Sequence, residues 1–141
     1  LALANALKLN DDDELSVAVC ADARMRSLNR KYRGEDRATD VLAFPADDIA
    51  PFLVSRGPLG ICLAPHPPLV MGDVVIDYRQ VERQARANGN EVAHELAAML
   101  VHGVTHLLGF DHGTAQAEAD MIALERRMHE LLRIEVSQFG H

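Results

Sequence analysis

The chain has 141 residues, 48% apolar and 25% charged, which suits one domain with its own core and excludes wholesale disorder. No apolar run approaches the ~18 residues of a membrane span, and two cysteines cannot build a disulfide framework. Net charge of −7 argues against a uniformly basic nucleic-acid binder, yet residues 24–37 hold six of the fourteen basic residues against two acidic ones, a local +4 on a remainder of −11.

Residues 1–9 (LALANALKL) read as a helix closed by the acidic run at 11–14. No basic region precedes the apolar opening and no small-residue cleavage site follows it, so no signal peptide is expected and the setting reads as soluble, reducing and cytoplasmic. Cys20 and Cys62 lie in apolar surroundings and read as small core residues. Residues 15–20 (LSVAVC) alternate and are β-branched, the pattern of a strand. Asp22 is placed to cap a helix through about Tyr32, with Met25 and Leu28 inward and Gly34 as its stop. Residues 39–45 (TDVLAFP) read as a second strand ended by Pro45. The stretch 46–70 holds Pro51, Pro58, Pro65, Pro67 and Pro68 and reads as a long loop with a small edge strand. Residues 71–77 (MGDVVID) form a buried strand, and 78–88 a polar helix ended by Gly89. A longer helix follows at about 91–108, with Val92, Leu96, Met99 and Leu100 on its inner face before Val104 and Leu107. In the last helix, about 114–132, Met121, Leu124, Met128 and Leu131 recur at helical spacing as a core stripe. Three or four strands with about five helices in this order make a single α+β domain over residues 1–141.

The chemistry concentrates in HGVTHLLGFDH, residues 102–112. His102 and His106 are four apart on a helix, so both imidazoles share a face and can reach one metal ion. Gly109 can take the left-handed conformation that ends a helix, and that reversal could return His112 as a third ligand. Three nitrogens with a fourth position left for water make an open zinc site of catalytic type. Histidine is rare enough here that chance fills both later positions in about 0.3% of cases, which favours a metal site over satisfied core histidines. His94 is two turns before His102 and poorly placed for the same ion; His129 and His141 read as exposed, and His66 as a loop residue rather than a ligand. The spacing H-x-x-x-H-x-x-G-x-x-H is that of metzincin proteases, but Gly103 stands where their general-base glutamate follows the first histidine. A peptidase is disfavoured on that ground. Asp111, beside His112, could orient a ligand, and the metal could act on a phosphodiester, which needs charge stabilisation and an oriented water.

These residues resemble the YbeY-type endoribonucleases, also described as bacterial rRNA maturation factors. The resemblance rests on residues 28–45 (LNRKYRGEDRATDVLAFP), 71–76 (MGDVVI), 102–112 (HGVTHLLGFDH) and the helix around 118–125 (EADMIALE). It implies a zincin-like α+β fold and one Zn²⁺ held by His102, His106 and His112. It also implies a metal-dependent endoribonuclease specific for single-stranded RNA, acting in rRNA maturation and ribosome quality control. Ribosomal partners are implied with it, and neither DNA nor a membrane. The family's functionally important arginine falls on Arg33, and a planar, always-charged guanidinium suits a phosphate near the metal cleft.

Three departures from the family pattern stand out. Its usual N-terminal strand is missing, Ala43 stands where serine is frequent, and the proline-rich 46–70 loop is longer than usual. Two rival readings stay open: a metalloprotease-like hydrolase, and a ribosome-associated assembly factor whose zinc is structural.

Overall fold

The computed structural model describes residues 2–111 and 113–139, with side chains through residue 133. In chain order the elements are α1 (Ala2–Leu7), β1 (Glu14–Cys20), α2 (Asp22–Arg33), β2 (Val41–Pro45), a short 3-10 turn (Ala50–Phe52), β3 (Leu53–Val54), β4 (Cys62–Leu63), β5 (Val70–Asp77), α3 (Tyr78–Asn88), α4 (Val92–Leu107) and α5 (Ala115–Phe139). Among the described residues, five helices thus pack with a small mixed sheet, the α+β arrangement expected. No described helix is long and apolar enough to cross a membrane.

The sheet is ordered β1-β5-β2, with β1 parallel and β2 antiparallel to the central β5. Met71, Val74 and Ile76 of β5 are buried, as a strand paired on both edges requires. Gly72 sits where β5 and β2 approach most closely: a Cβ there would lie 2.2 Å from the Phe44 carbonyl oxygen, and its φ of +132° is one that other residues rarely adopt. Val17, Val74 and Ala43 are in register across the three strands. Helix α4 lies over that face, while Leu28 and Tyr32 of α2 line a groove with Ser16, Phe44 and Val75 of the other. On the edge strand β1, Leu15, Val17 and Val19 are exposed.

The stretch 46–70 carries two strands rather than one. β3 and β4 pair with each other, Leu53 with Leu63 and Val54 with Cys62, as a separate ribbon rather than an edge of the main sheet. Ile49, Leu59, Leu63 and Leu69 anchor this stretch in the core beside Leu7 of α1 and Leu124 and Met128 of α5. Cys62 is buried, as expected, whereas Cys20 is only half-buried.

Other positions also differ from the sequence reading. Asp22 does not cap α2: the cap is Ala21, with no side-chain bond, and the Asp22 carboxylate pairs instead with Arg83 of α3. A two-pronged, charge-assisted partner outcompetes a single backbone N–H. Asp77 is the residue that does cap, its Oδ1 accepting from the Arg79 and Gln80 amides at 3.0 and 3.4 Å. Its Oδ2 is buried without a partner among the described residues. Burial, with the Asp22 carboxylate alongside, pushes the Asp77 carboxyl up to about 6. On α4, Met99, Val104 and Leu107 are buried as expected, Val92, Leu96 and Leu100 are half-buried against the core, and Glu95, Val101, Gly103 and Thr105 are buried as well. The expected stripe is therefore in place but incomplete: α4 touches the sheet, α3 and α5 at once, so Val101 and Thr105 on the side away from Gly103 are buried too, Thr105 against Glu125 of α5. In α5, Met121, Leu124 and Met128 are buried as expected, and Leu131 is half-buried.

His66 is tied down as a loop residue. Its Nε2 lies 2.7 Å from Asp13 Oδ2 and its Nδ1 2.7 Å from the Ala64 carbonyl, with both side chains of the pair 1% exposed. The Asp13 bond, helped by the Ala64 carbonyl, holds the His66 imidazole above its ordinary value. Burial works to raise Asp13, but bonds from His66 and from the Asn10 and Leu69 amides outweigh it and hold the carboxyl below its usual range. A raised histidine stabilises the fold fully below its unfolded pKa of ~6.5, and that contribution is lost as pH rises through the folded value. A lowered aspartate stabilises above ~3.9 and loses its contribution as pH falls through the folded value. Asp13→Asn should therefore cost about 1–3 kcal/mol near pH 6, the scale of leaving a buried hydrogen-bonding group without its partner. Denaturant unfolding across pH checks it: the gap to the parent should narrow toward both acid and alkaline pH.

Candidate metal centre

Helix α4 carries His102 and His106 one turn apart on the same face. Their ring centroids are 4.7 Å apart with the planes at 89°, and the two Nε2 atoms approach to 3.2 Å. Each Nδ1 already has an acceptor. His102 Nδ1 lies 2.8 Å from Glu125 Oε1 of α5, and His106 Nδ1 lies 2.9 Å from the Phe110 carbonyl oxygen. A carboxylate and a carbonyl can only accept, so both rings donate from Nδ1 and turn Nε2 toward each other. Two lone pairs aimed at one point suit a cation between them. Two nitrogens bound to one zinc at ~2.0–2.1 Å in tetrahedral geometry stand ~3.3–3.4 Å apart, close to the spacing found. The donor pair therefore fits zinc. The bond to Glu125 raises the His102 pKa despite partial burial.

The turn after α4 follows from Gly109, whose φ is +95°. Its amide donates to the His106 carbonyl at 3.0 Å, and the Phe110 amide to the Thr105 carbonyl at 3.1 Å. The chain thus folds back over its last turn and delivers the Phe110 carbonyl to His106. Asp111 Oδ1 accepts from the Gly113 amide at 2.9 Å, within its own turn. The expected third ligand, His112, lies outside the described residues. Among the described residues no third His, Cys, Asp or Glu completes the set.

A cleft of about 570 Å³ opens beside the pair, lined by His106, Gly109, Phe110 and Asp111 on one side and Arg33, Thr39, Val41 and Ala43 on the other. The structure thus brings Arg33 and His106 to one cleft. Arg33 is the last residue of α2, and Gly34 caps that helix with φ of +72°. The guanidinium donates to the Ala43 carbonyl at 3.0 Å and lies 6.0 Å from the centre of the Phe44 ring. The loop that follows is held by Asn29, which is buried and donates to the Arg37 carbonyl at 2.9 Å. The rest of the basic segment is partly spoken for: Arg26 forks onto Asp36, and Arg37 pairs with Glu35.

Gly103 has a physical reason. α4 lies so close to the sheet here that a Cβ would fall 2.5 Å from Cγ1 of Val74, a buried and β-branched neighbour that cannot swing away. The position that holds glutamate in metzincins has no room for any side chain, and it faces the sheet rather than the cleft. Gly103→Ala should lower stability by about 1–3 kcal/mol through overpacking, despite the ~1 kcal/mol gain in helix propensity. Denaturant unfolding of the variant checks this, and an unchanged midpoint would show that the helix can shift.

His94 lies apart, as expected, in a groove of about 500 Å³ between α4 and α5. His129 lines the same groove and is half-buried rather than exposed; burial lowers its pKa. His141 lies outside the described residues. The sequence reading missed Glu125 and the Phe110 carbonyl. Glu125 closes the EADMIALE stretch of the family resemblance, but only the packing of α5 on α4 shows what it touches.

A sequence model of the family described as Endoribonuclease YbeY matches residues 1–133. Proteins named Endoribonuclease YbeY align over most of the chain. The one from Bacillus pumilus is 34% identical over 125 residues, covering 89% of this chain and 76% of its own length. The one from Geobacillus kaustophilus is 41% identical over 124 residues, covering 87% and 76%. Other relatives are longer: the chain spans 63% of the Dehalococcoides mccartyi protein, to which it is 40% identical over 78% of its own length. A protein from Thermotoga maritima solved in solution shares the fold, with a TM-score of 0.55 and 24% identity over 97% of this chain and 83% of that one. On these matches the chain belongs to the Endoribonuclease YbeY family.

Proposed function

We propose that the chain is a zinc-dependent endoribonuclease that cuts single-stranded RNA during rRNA maturation and ribosome quality control in the cytoplasm. The observation that carries this reading is the convergence of the His102 and His106 Nε2 atoms beside a cleft that Arg33 also lines. The printed names of the relatives support an RNA phosphodiester as substrate; the ribosomal setting rests on the family resemblance.

When bound, zinc would polarise a phosphoryl oxygen and lower the pKa of a water. His102 and His106 would hold it, with His112 as the third ligand, and Glu125 and the Phe110 carbonyl keep the first two rings oriented. The Arg33 guanidinium has donors beyond the one given to Ala43, so it can grip a phosphate across the cleft. The Ala43 carbonyl and the Phe44 ring hold the guanidinium in place. Gly103 weighs against a peptidase, because a base-bearing side chain has no space there.

Incubating metal-analysed protein with single-stranded RNA, a duplex of the same sequence and a peptide substrate tests the reading. Cutting of the single strand alone is expected. Peptide cleavage, or equal attack on the duplex, would overturn it.

A further inference from the structure

Resting on the metal centre proposed above, we propose that Glu125 is its positioning carboxylate, which locks His102 in the Nδ1–H tautomer and tunes how tightly the centre holds zinc. The two histidines are not equivalent. His106 donates to a neutral carbonyl delivered by the turn after its own helix, whereas His102 donates to a carboxylate from a separate helix. A carboxylate behind an imidazole makes the far nitrogen a stronger donor and fixes the ring's rotation.

The side chain is itself held. Leu124 beside it and Met121 and Met128 one turn away on either side are buried, which sets the rotational phase of α5 and aims position 125 at α4. Thr105, fully buried on α4, approaches Glu125 Oε1 at 3.4 Å while donating to the His102 carbonyl at 2.7 Å. The same hydroxyl thus touches both the backbone and the carboxylate partner of His102. A ring so held does not have to select its tautomer or orientation when the ion arrives. The carboxylate also offsets part of the ion's charge, so tighter binding is traded against a less electrophilic centre.

The test uses the full chain with zinc alone as ligand. Zinc affinity is measured by competition with a chelator, and the His102 tautomer by ¹⁵N NMR of histidine-labelled metal-free protein. Glu125→Ala should weaken zinc binding by roughly 10- to 100-fold, the usual scale for losing such a partner, and should leave His102 as a mixture of tautomers. Glu125→Gln keeps an acceptor oxygen but loses the charge. It should keep the Nδ1–H tautomer with an intermediate affinity, and it serves alone if the alanine variant does not fold. Parental zinc affinity in either folded variant would overturn the inference. A His102→Ala/His106→Ala control separates the two levels. If it loses zinc while the Glu125 variants do not, only this inference fails; if it retains zinc, the centre beneath it fails.

Discussion

Arg33→Ala should cut single-stranded RNA roughly 10- to 1000-fold more slowly than the parent, the scale of removing one preorganised charge stabiliser, while zinc content and unfolding midpoint stay unchanged. The side chain is exposed at the end of α2 and contributes nothing to the buried cluster, so its loss leaves the core intact. Its place in the cleft with His106 would set it against a phosphate of RNA bound there. Arg33→Lys separates charge from shape. A lysine keeps the positive charge but not the planar fork, and it cannot both donate to the Ala43 carbonyl with the same geometry and clamp a phosphate bidentately. It should therefore rescue only part of the rate. Unchanged cleavage and unchanged RNA affinity in folded, zinc-loaded Arg33→Ala, measured at one salt concentration, would reduce Arg33 to a surface arginine.

The larger loss is expected in His102→Ala/His106→Ala. Removing both described nitrogens leaves no convergent donor pair on α4, so zinc per chain should fall from about one to near zero and RNA cleavage should fall with it. Neither side chain is fully buried, so the helix should survive. Elemental analysis reads the metal directly, and full zinc occupancy in this double variant would contradict the ligand assignment. In the parent protein, acidification below the histidine range of ~6.5 should release metal, because the nitrogens that bind it must be unprotonated.

What the sequence made legible was local. The i, i+4 spacing of His102 and His106 places two rings on one helix face whatever the rest of the chain does, and Gly34, Gly89 and Gly109 mark helix ends because each adopts a positive φ there. What stayed hidden were partners brought in from far along the chain. Glu125 reaches His102 from 23 residues away and Arg83 takes Asp22 from 61 away, and neither pairing has a periodic signature. The inner face of α4 was read only in part for a related reason: a helix touching a sheet and two helices buries more than one stripe, so Val101 and Thr105, on the side away from Gly103, are buried as well. Only one of the two short strands in 46–70 was legible, because two residues each are too few to show alternation.

We propose that this centre, loaded with one zinc, is what cuts RNA. Its most direct test is to strip the protein with a chelator, return zinc in measured steps, and follow single-stranded RNA cleavage and bound metal in the same samples. Cleavage should be absent at the start, rise in proportion to occupancy, and level off at about one zinc per chain. Full cleavage by the stripped protein, or none at full occupancy, would contradict it.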